Sequence, residues 1–251
     1  MLILLSPAKT LDLDTPFADV PTSPRLAADA GRLALAAAKL GPAKLAELMH
    51  ISSALAELNA KRFKGFAKAQ ERPAIRMFAG DVYRGYDAAS ADEDSMAFAQ
   101  GHVRILSGLY GMLRPLDAMR PYRLEMGTRW APKADRLVDH WGNKVAKALL
   151  AELKEEGSGT ILNLASREYY EVVGPKLPKT VRMIAPDFRV HTAKGLTFQS
   201  FAAKVARGAM ARFVCDERIA DPAGLEDFDR DGWRFDAEGS SPAKPLFIRA
   251  G

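Results

Sequence analysis

A cation and two hydroxyls stand within five residues of one another in Ser6-Pro7-Ala8-Lys9-Thr10, directly after a short apolar run, Leu2 to Leu5. A lysine beside hydroxyl donors suits an oxyanion, and the end of a buried strand faces the crevice where open α/β sheets usually bind ligands. Lys9-Thr10 has the ending of a phosphate-binding P-loop but lacks the glycines that let backbone amides wrap a phosphate, so a P-loop is not expected. Read alone, the segment is also a Pro-containing turn with Lys9 at the surface.

Similar polar groups recur after other apolar runs. Gly80-Asp81-Val82-Tyr83 follows Ile75 to Ala79. Leu106-Ser107-Gly108-Leu109-Tyr110-Gly111 leads into Arg114-Pro115-Leu116-Asp117, and Tyr122-Arg123-Leu124-Glu125-Met126-Gly127 comes soon after. Asn163-Leu164-Ala165-Ser166, with Glu168-Tyr169, forms another group. The guanidinium forks of Arg114 and Arg123 match phosphate geometry. Asp117 and Glu125 stand near enough to pair with them instead, which would make a structural network rather than a binding surface. Several strand-end clusters together predict a shared cleft lined by Ser6, Thr10, Asp81, Tyr83, Tyr122, Glu125, Asn163 and Ser166.

These residues need a scaffold of alternating elements. Short apolar runs predict strands at Leu2–Leu5, Ile75–Ala79, Val103–Leu106, Thr160–Leu164, Val181–Ala185, Leu196–Phe198 and Leu246–Ile248. Helical patterns cover Pro24–Leu40 with Ser23 as N-cap, Pro42–Met49, Ser53–Lys68, Asp135–Glu156 and Phe201–Ile219. The last places Phe201, Val205, Ala209 and Phe213 on its apolar side. Strands alternating with helices predict an α/β fold, a mixed sheet surrounded by helices, in one domain spanning residues 1–251. Segment 108–133 is long for a connection, and long loops inside compact domains tend to be functional.

Composition narrows the classes. Hydrophobic residues make up 48% and charged residues 27%, so a sizeable core is expected. No apolar stretch is long enough to span a membrane, and Leu2–Leu5 is too short for a signal-peptide core. The lone cysteine, Cys215, lies in an apolar helical run and reads as buried filler in a cytoplasmic protein. His50, His102, His140 and His191 are scattered without ligand spacing, and no dinucleotide fingerprint or nucleophile elbow is present; no metal or cofactor is expected. Asp92-Glu93-Asp94 reads as a helix N-terminus.

The net charge of +5 is unevenly spread. Residues 61–90 carry seven Lys/Arg against three Asp/Glu and residues 101–150 nine against four, whereas residues 213–251 carry five against nine. Such lopsidedness steers polyanions, and it also arises from solvated helix faces. Lys61, Arg62 and Lys64 close a helix pair broken at Ile51-Ser52, an arrangement that can offer a helix N-terminus to phosphate. Lys204 and Arg207 share a face of the Phe201–Ile219 helix.

In combination the motifs are specific. Leu-Ser-Pro-Ala-Lys-Thr-Leu at 5–11, Gly-Asp-Val-Tyr at 80–83, Leu-Ser-Gly-Leu-Tyr-Gly at 106–111, Arg-Pro-Leu-Asp at 114–117, Tyr-Arg-Leu-Glu-Met-Gly at 122–127, Asn-Leu-Ala-Ser at 163–166 and Ala-Arg-Gly-x-Met-x-Arg-Phe at 206–213 closely resemble the YaaA peroxide-stress family. That resemblance implies a cytoplasmic protein of the hydrogen-peroxide response, with a positively charged cleft and a helix-hairpin-helix element, which binds duplex and branched DNA and is linked to limiting iron-mediated damage. It places the helix-hairpin-helix at 42–66, with 104–120 as the fallback. Lys9, Arg114 and Arg123 would then line the cleft, with Lys61, Arg62, Lys64, Lys204 and Arg207 as further phosphate contacts. The rival expectation is an enzyme acting on a nucleotide or phosphorylated small molecule in the same cleft, because a non-specific DNA track does not need Asp81, Tyr83 and Asn163.

Overall fold

Leu2–Leu5 (β1) is apolar at every position because no face of it meets water. In the computed structural model, which describes residues 1–251, β1 is the middle strand of five and all four side chains are buried. It pairs in parallel with Val103–Ser107 (β5) on one side and Thr160–Asn163 (β8) on the other. Parallel strands covered on both faces read as continuous hydrophobic runs.

Between β1 and β5 the chain makes a short strand Thr10–Leu11 (β2), then helices Ala27–Ala37 (α1), Gly41–Met49 (α2) and Ser53–Lys64 (α3). Arg72–Pro73 (β3), Ala74–Met77 (α4), Phe78–Ala79 (β4), Asp81–Tyr86 (α5) and Glu93–His102 (α6) follow. Beyond β5 come Gly111–Leu113 (β6), Ala118–Met119 (β7), Leu137–Trp141 (α7) and Lys144–Glu156 (α8). After β8 lie Arg167–Tyr170 (α9), Arg182–Ile184 (β9), Asp187–Thr192 (β10), Gly195–Thr197 (β11), Ser200–Asp216 (α10), Arg234–Ser241 (β12) and Lys244–Ala250 (β13).

The first sheet has the order β6-β5-β1-β8-β9, with β6 its antiparallel member. A second sheet runs β11-β10-β13-β12 and mixes parallel and antiparallel pairs. One continuous cluster of 66 buried residues joins both sheets to the helices, as a mixed α/β fold requires.

The two sheets meet around α10, which crosses α5 at backbone contact. A Cβ at Gly208 would collide with the Val82 carbonyl, and one at Gly85 with that of Val205. Glycine is required at both positions for this approach. Arg212 then ties α10 to the loop beyond α5: it donates to Asp216, the Asp87 carbonyl at 2.6 Å, the Ser90 carbonyl at 2.9 Å and Ser90 Oγ at 3.0 Å.

Several expectations need correction. Ile75–Ala79 is one helical turn followed by the two-residue β4; an apolar run this short fits a buried turn as well as a strand. Asp135–Glu156 is two helices, broken at Gly142, whose φ of +47° lies outside the helical region. α1 begins at Ala27 without a side-chain cap, and the Ser23 carbonyl accepts from Arg114 instead. Segment 108–133 contains β6 and β7. In place of the fallback hairpin helices, 104–120 holds most of the β5–β6 hairpin together with β7. At 41–64 two helices are indeed joined by a short turn, His50-Ile51-Ser52, with His50 left-handed at φ 50° and Ser52 Oγ accepting from the Leu55 amide.

Candidate functional site

Because β1, β5 and β8 run in one direction, the residues that follow them emerge at one edge of the sheet. Ser6, after β1, and Ser166, after β8, meet there although 160 residues apart. Ser6 Oγ accepts from the Ser166 amide at 2.8 Å and lies 3.3 Å from Ser166 Oγ. Asn163 Oδ1 turns inward on its own loop, accepting from the Ala165 amide at 3.1 Å. Tyr83 reaches across from α5 and donates its hydroxyl to the Ser6 carbonyl at 2.9 Å. Thr10 pairs with Ala79, and Gly80 packs against Ala8, so Asp81 stands beside the Lys9 end of the cluster.

Buried tyrosines lie beneath this edge. Tyr122 shares a 2.6 Å hydrogen bond with Ser107, which also accepts from the Tyr110 amide. Phe78 packs on both Tyr83 and Tyr122, with ring centroids 5.4 and 6.5 Å away. Burial pushes the Tyr83, Tyr122 and Tyr169 phenols well above their usual range, and the nearby phenols add to the rise at Tyr83 and Tyr169. At neutral pH they remain neutral hydrogen-bonding groups, suited to positioning the edge rather than to acid–base exchange.

Lys9 Nζ pairs with Glu125 at 2.8 Å, and Arg123 meets the other oxygen of that carboxylate at 3.2 Å. The Lys9 side chain is 62% exposed, whereas Arg123 is 17% exposed and its buried Nε has no partner. The loop carrying Glu125 is fastened to α9 through the Gly127 amide, which donates to Glu168 at 3.0 Å. Its backbone also presses on Gly108, where a Cβ would strike the Leu124 carbonyl.

The other nominated cations fall into separate groups. Arg114 closes a turn, donating to Asp117 at 2.8 and 3.1 Å while Thr22 holds the same carboxylate at 2.7 Å, so its pairing is the structural alternative. Lys204 approaches Asp81 at 3.8 Å, which joins α10 to the strand-end edge. Arg207 is mostly withdrawn from solvent and forms no ion pair; burial, the largest influence, lowers its pKa, opposed by Asp187. Lys61, Arg62 and Lys64 occupy the last turn of α3, packed beside α1 and α2 and away from the strand ends.

A concavity of about 670 Å³ lies beside the cluster and is lined by Phe17, Arg72, Phe78 and Tyr83 among others. Tyr83 is its one member from the nominated set. Ser107, Glu168 and Tyr169 support the edge more directly than sequence indicated; their positions next to strand ends were the available signal. Arg167, an exposed cation that opens α9 directly after Ser166, belongs to none of the sequence motifs.

Fold and cluster together define a mixed α/β protein whose polar groups collect at the switch point of its parallel sheet, where β5 lies on one side of β1 and β8 on the other. A family described as "Peroxide stress protein YaaA" matches residues 1–239. A UPF0246 protein of Rhizorhabdus wittichii is 54% identical, covering 99% of each chain. UPF0246 proteins of Roseobacter denitrificans and a Janthinobacterium species are 48% and 46% identical, each covering 99% of this chain and 98% of the relative. The chain belongs to the YaaA peroxide stress family.

Proposed function

We propose that this chain binds duplex or branched DNA without sequence preference during the hydrogen-peroxide response, in the cytoplasm, and limits iron-mediated damage indirectly. The observation that carries the reading is the state of α3. In a structure with 20 ion pairs, none involves Lys61, Arg62 or Lys64, which end the second helix of the α2–α3 pair. Cations left without carboxylates are free to neutralise phosphates. Lys9, Arg123 and Lys204 would add contacts at the strand-end edge by exchanging Glu125 and Asp81 for phosphate, and the α2–α3 pair would act as the helix-hairpin-helix.

A gel-shift series in rising salt tests this. Duplex affinity is expected to fall linearly on logarithmic axes with a slope of about −0.9 per neutralised phosphate. Absence of binding, or binding indifferent to salt, rejects it.

One observation favours a second reading, a phosphorylated small molecule or nucleotide at the strand-end edge. Arg123 has a buried Nε without a partner beside the carboxylate it shares with Lys9. A thermal-shift screen in which one nucleotide alone stabilises the protein would support it; uniform silence across nucleotides would remove it.

A further inference from the structure

Leu196, Phe198 and Phe201 leave 44%, 52% and 58% of their surfaces in solvent, three large apolar side chains within six residues. They lie where β11, the edge of the second sheet, gives way to α10. Each phenylalanine carries a guanidinium over its ring: Arg189 stands 5.7 Å from the Phe198 centroid, and Arg84 stands 4.6 Å from that of Phe201. Lys204 follows one turn along α10, and Lys194, in the β10–β11 turn, has no ion pair. The carboxylates that meet the cations here are Asp81, shared by Arg84 and Lys204, and Asp187, shared by Arg189 and Lys244. Five cations against two carboxylates leave a positive rim around an apolar patch.

That combination selects its occupant. A second copy of the chain would set one positive rim against another, and a neutral apolar partner would leave the cations without counter-charge. Unpaired nucleotides answer both features, since every base has a flat face for an aromatic ring and every link a phosphate for a cation. We infer that Phe198 and Phe201 are a stacking platform for unpaired bases of DNA, with Arg84, Arg189, Lys194 and Lys204 holding the adjoining phosphates. This rests on the DNA reading above and specifies the part of the DNA taken at this end of the edge. Asp81 links Lys204 to the Gly80–Ala8 contact beside Lys9, so a strand leaving a duplex at Lys9 has a continuous route to the platform.

The test uses the full chain and a duplex with a single-stranded overhang carrying 2-aminopurine. Wild-type protein is expected to change the 2-aminopurine fluorescence through stacking. The Phe198→Ala/Phe201→Ala double variant is expected to abolish that change and to weaken binding of a thymidine oligomer about 10- to 100-fold, while duplex affinity holds. Both rings are more than half exposed, so the variant keeps its core, and Phe201→Trp should preserve the signal. Wild-type protein that binds duplex without the fluorescence change, or a double variant that retains it, overturns the platform and leaves the DNA reading standing. Wild-type protein that binds neither DNA overturns both. A wild-type dimer in sedimentation that the double variant dissolves overturns the inference in favour of a second copy.

Discussion

The α5–α10 crossing and the α2–α3 hairpin are both helix pairs bearing basic residues, yet they treat those residues in opposite ways. At the crossing, Gly85 and Gly208 bring the backbones into contact, and Arg212 directs its donors at Asp216, Asp87 and Ser90 inside the protein. In the hairpin pair, Lys61, Arg62 and Lys64 meet no carboxylate and stand at the C-terminal end of the α3 dipole, with Arg62 half-buried. The charge of Arg212 is structural, whereas the cations that end α3 have no carboxylate partner. Counting basic residues along the chain cannot separate these roles; the partners of each side chain do.

The largest effect is expected at the crossing itself. Gly208→Ala drives a methyl into the Val82 carbonyl and should cost about 3 kcal/mol or more, read as a collapsed urea midpoint or loss of folded protein. A small loss would show that the helices can separate and that the contact is not rigid. Arg212→Met should cost about 1 to 3 kcal/mol, because it leaves the Asp87 and Ser90 carbonyls without their donor and reduces Asp216 to Arg230 and Ser95. Arg114→Gln should cost about 1 to 3 kcal/mol through Asp117 while leaving the salt slope of DNA binding unchanged. A changed slope would move Arg114 from the structural class to the available one.

The hairpin predicts the reverse behaviour. Replacing Lys61, Arg62 and Lys64 together by glutamine should move stability by no more than about 0.5 kcal/mol per site. It should flatten the salt slope by about 2 to 3. Equal salt slopes for variant and wild type would erase the distinction between the two regions. The smallest effect concerns acid. Burial raises the Asp216 pKa, but hydrogen bonds from Ser95, Arg212 and Arg230 outweigh it and hold the carboxyl below its ordinary 3.8. Its stabilisation is therefore present above about pH 4 and is lost as pH falls through the lowered folded value. Asp216→Asn should shallow that acid limb in a pH series of melting temperatures.

The parallel sheet was legible because its central strands, β1, β5 and β8, are almost wholly buried and mostly apolar. β10 was not, since Asp187, Arg189 and His191 alternate with Phe188 and Val190 and conceal the strand among charges. The break at Gly142 was hidden by an amphipathic pattern that continues on both sides of it. The polar groups of the site could be named from strand ends, but their convergence depends on strand order, which alone brings Ser6 to Ser166. The pairing of Arg114 with Asp117 was visible as a possibility; Thr22 and Ser23, from far up the chain, decide it. Phe201 continues an apolar helical stripe with Val205, Ala209 and Phe213, so sequence assigned it to the core. The stripe outruns the protein beneath it, and Phe201 emerges into solvent.

The handling of sulfur bears on how such a molecule can serve under oxidant. Cys215 is fully buried, and burial pushes its thiol up to about 12, so it offers peroxide neither access nor thiolate. Of nine methionines, eight are buried and Met183 is partly covered. Oxidation follows exposure and thiolate character, and this chain withholds both. Its sulfur atoms are thereby kept largely out of reach of peroxide, so its shape does not depend on exposed thiol or thioether groups.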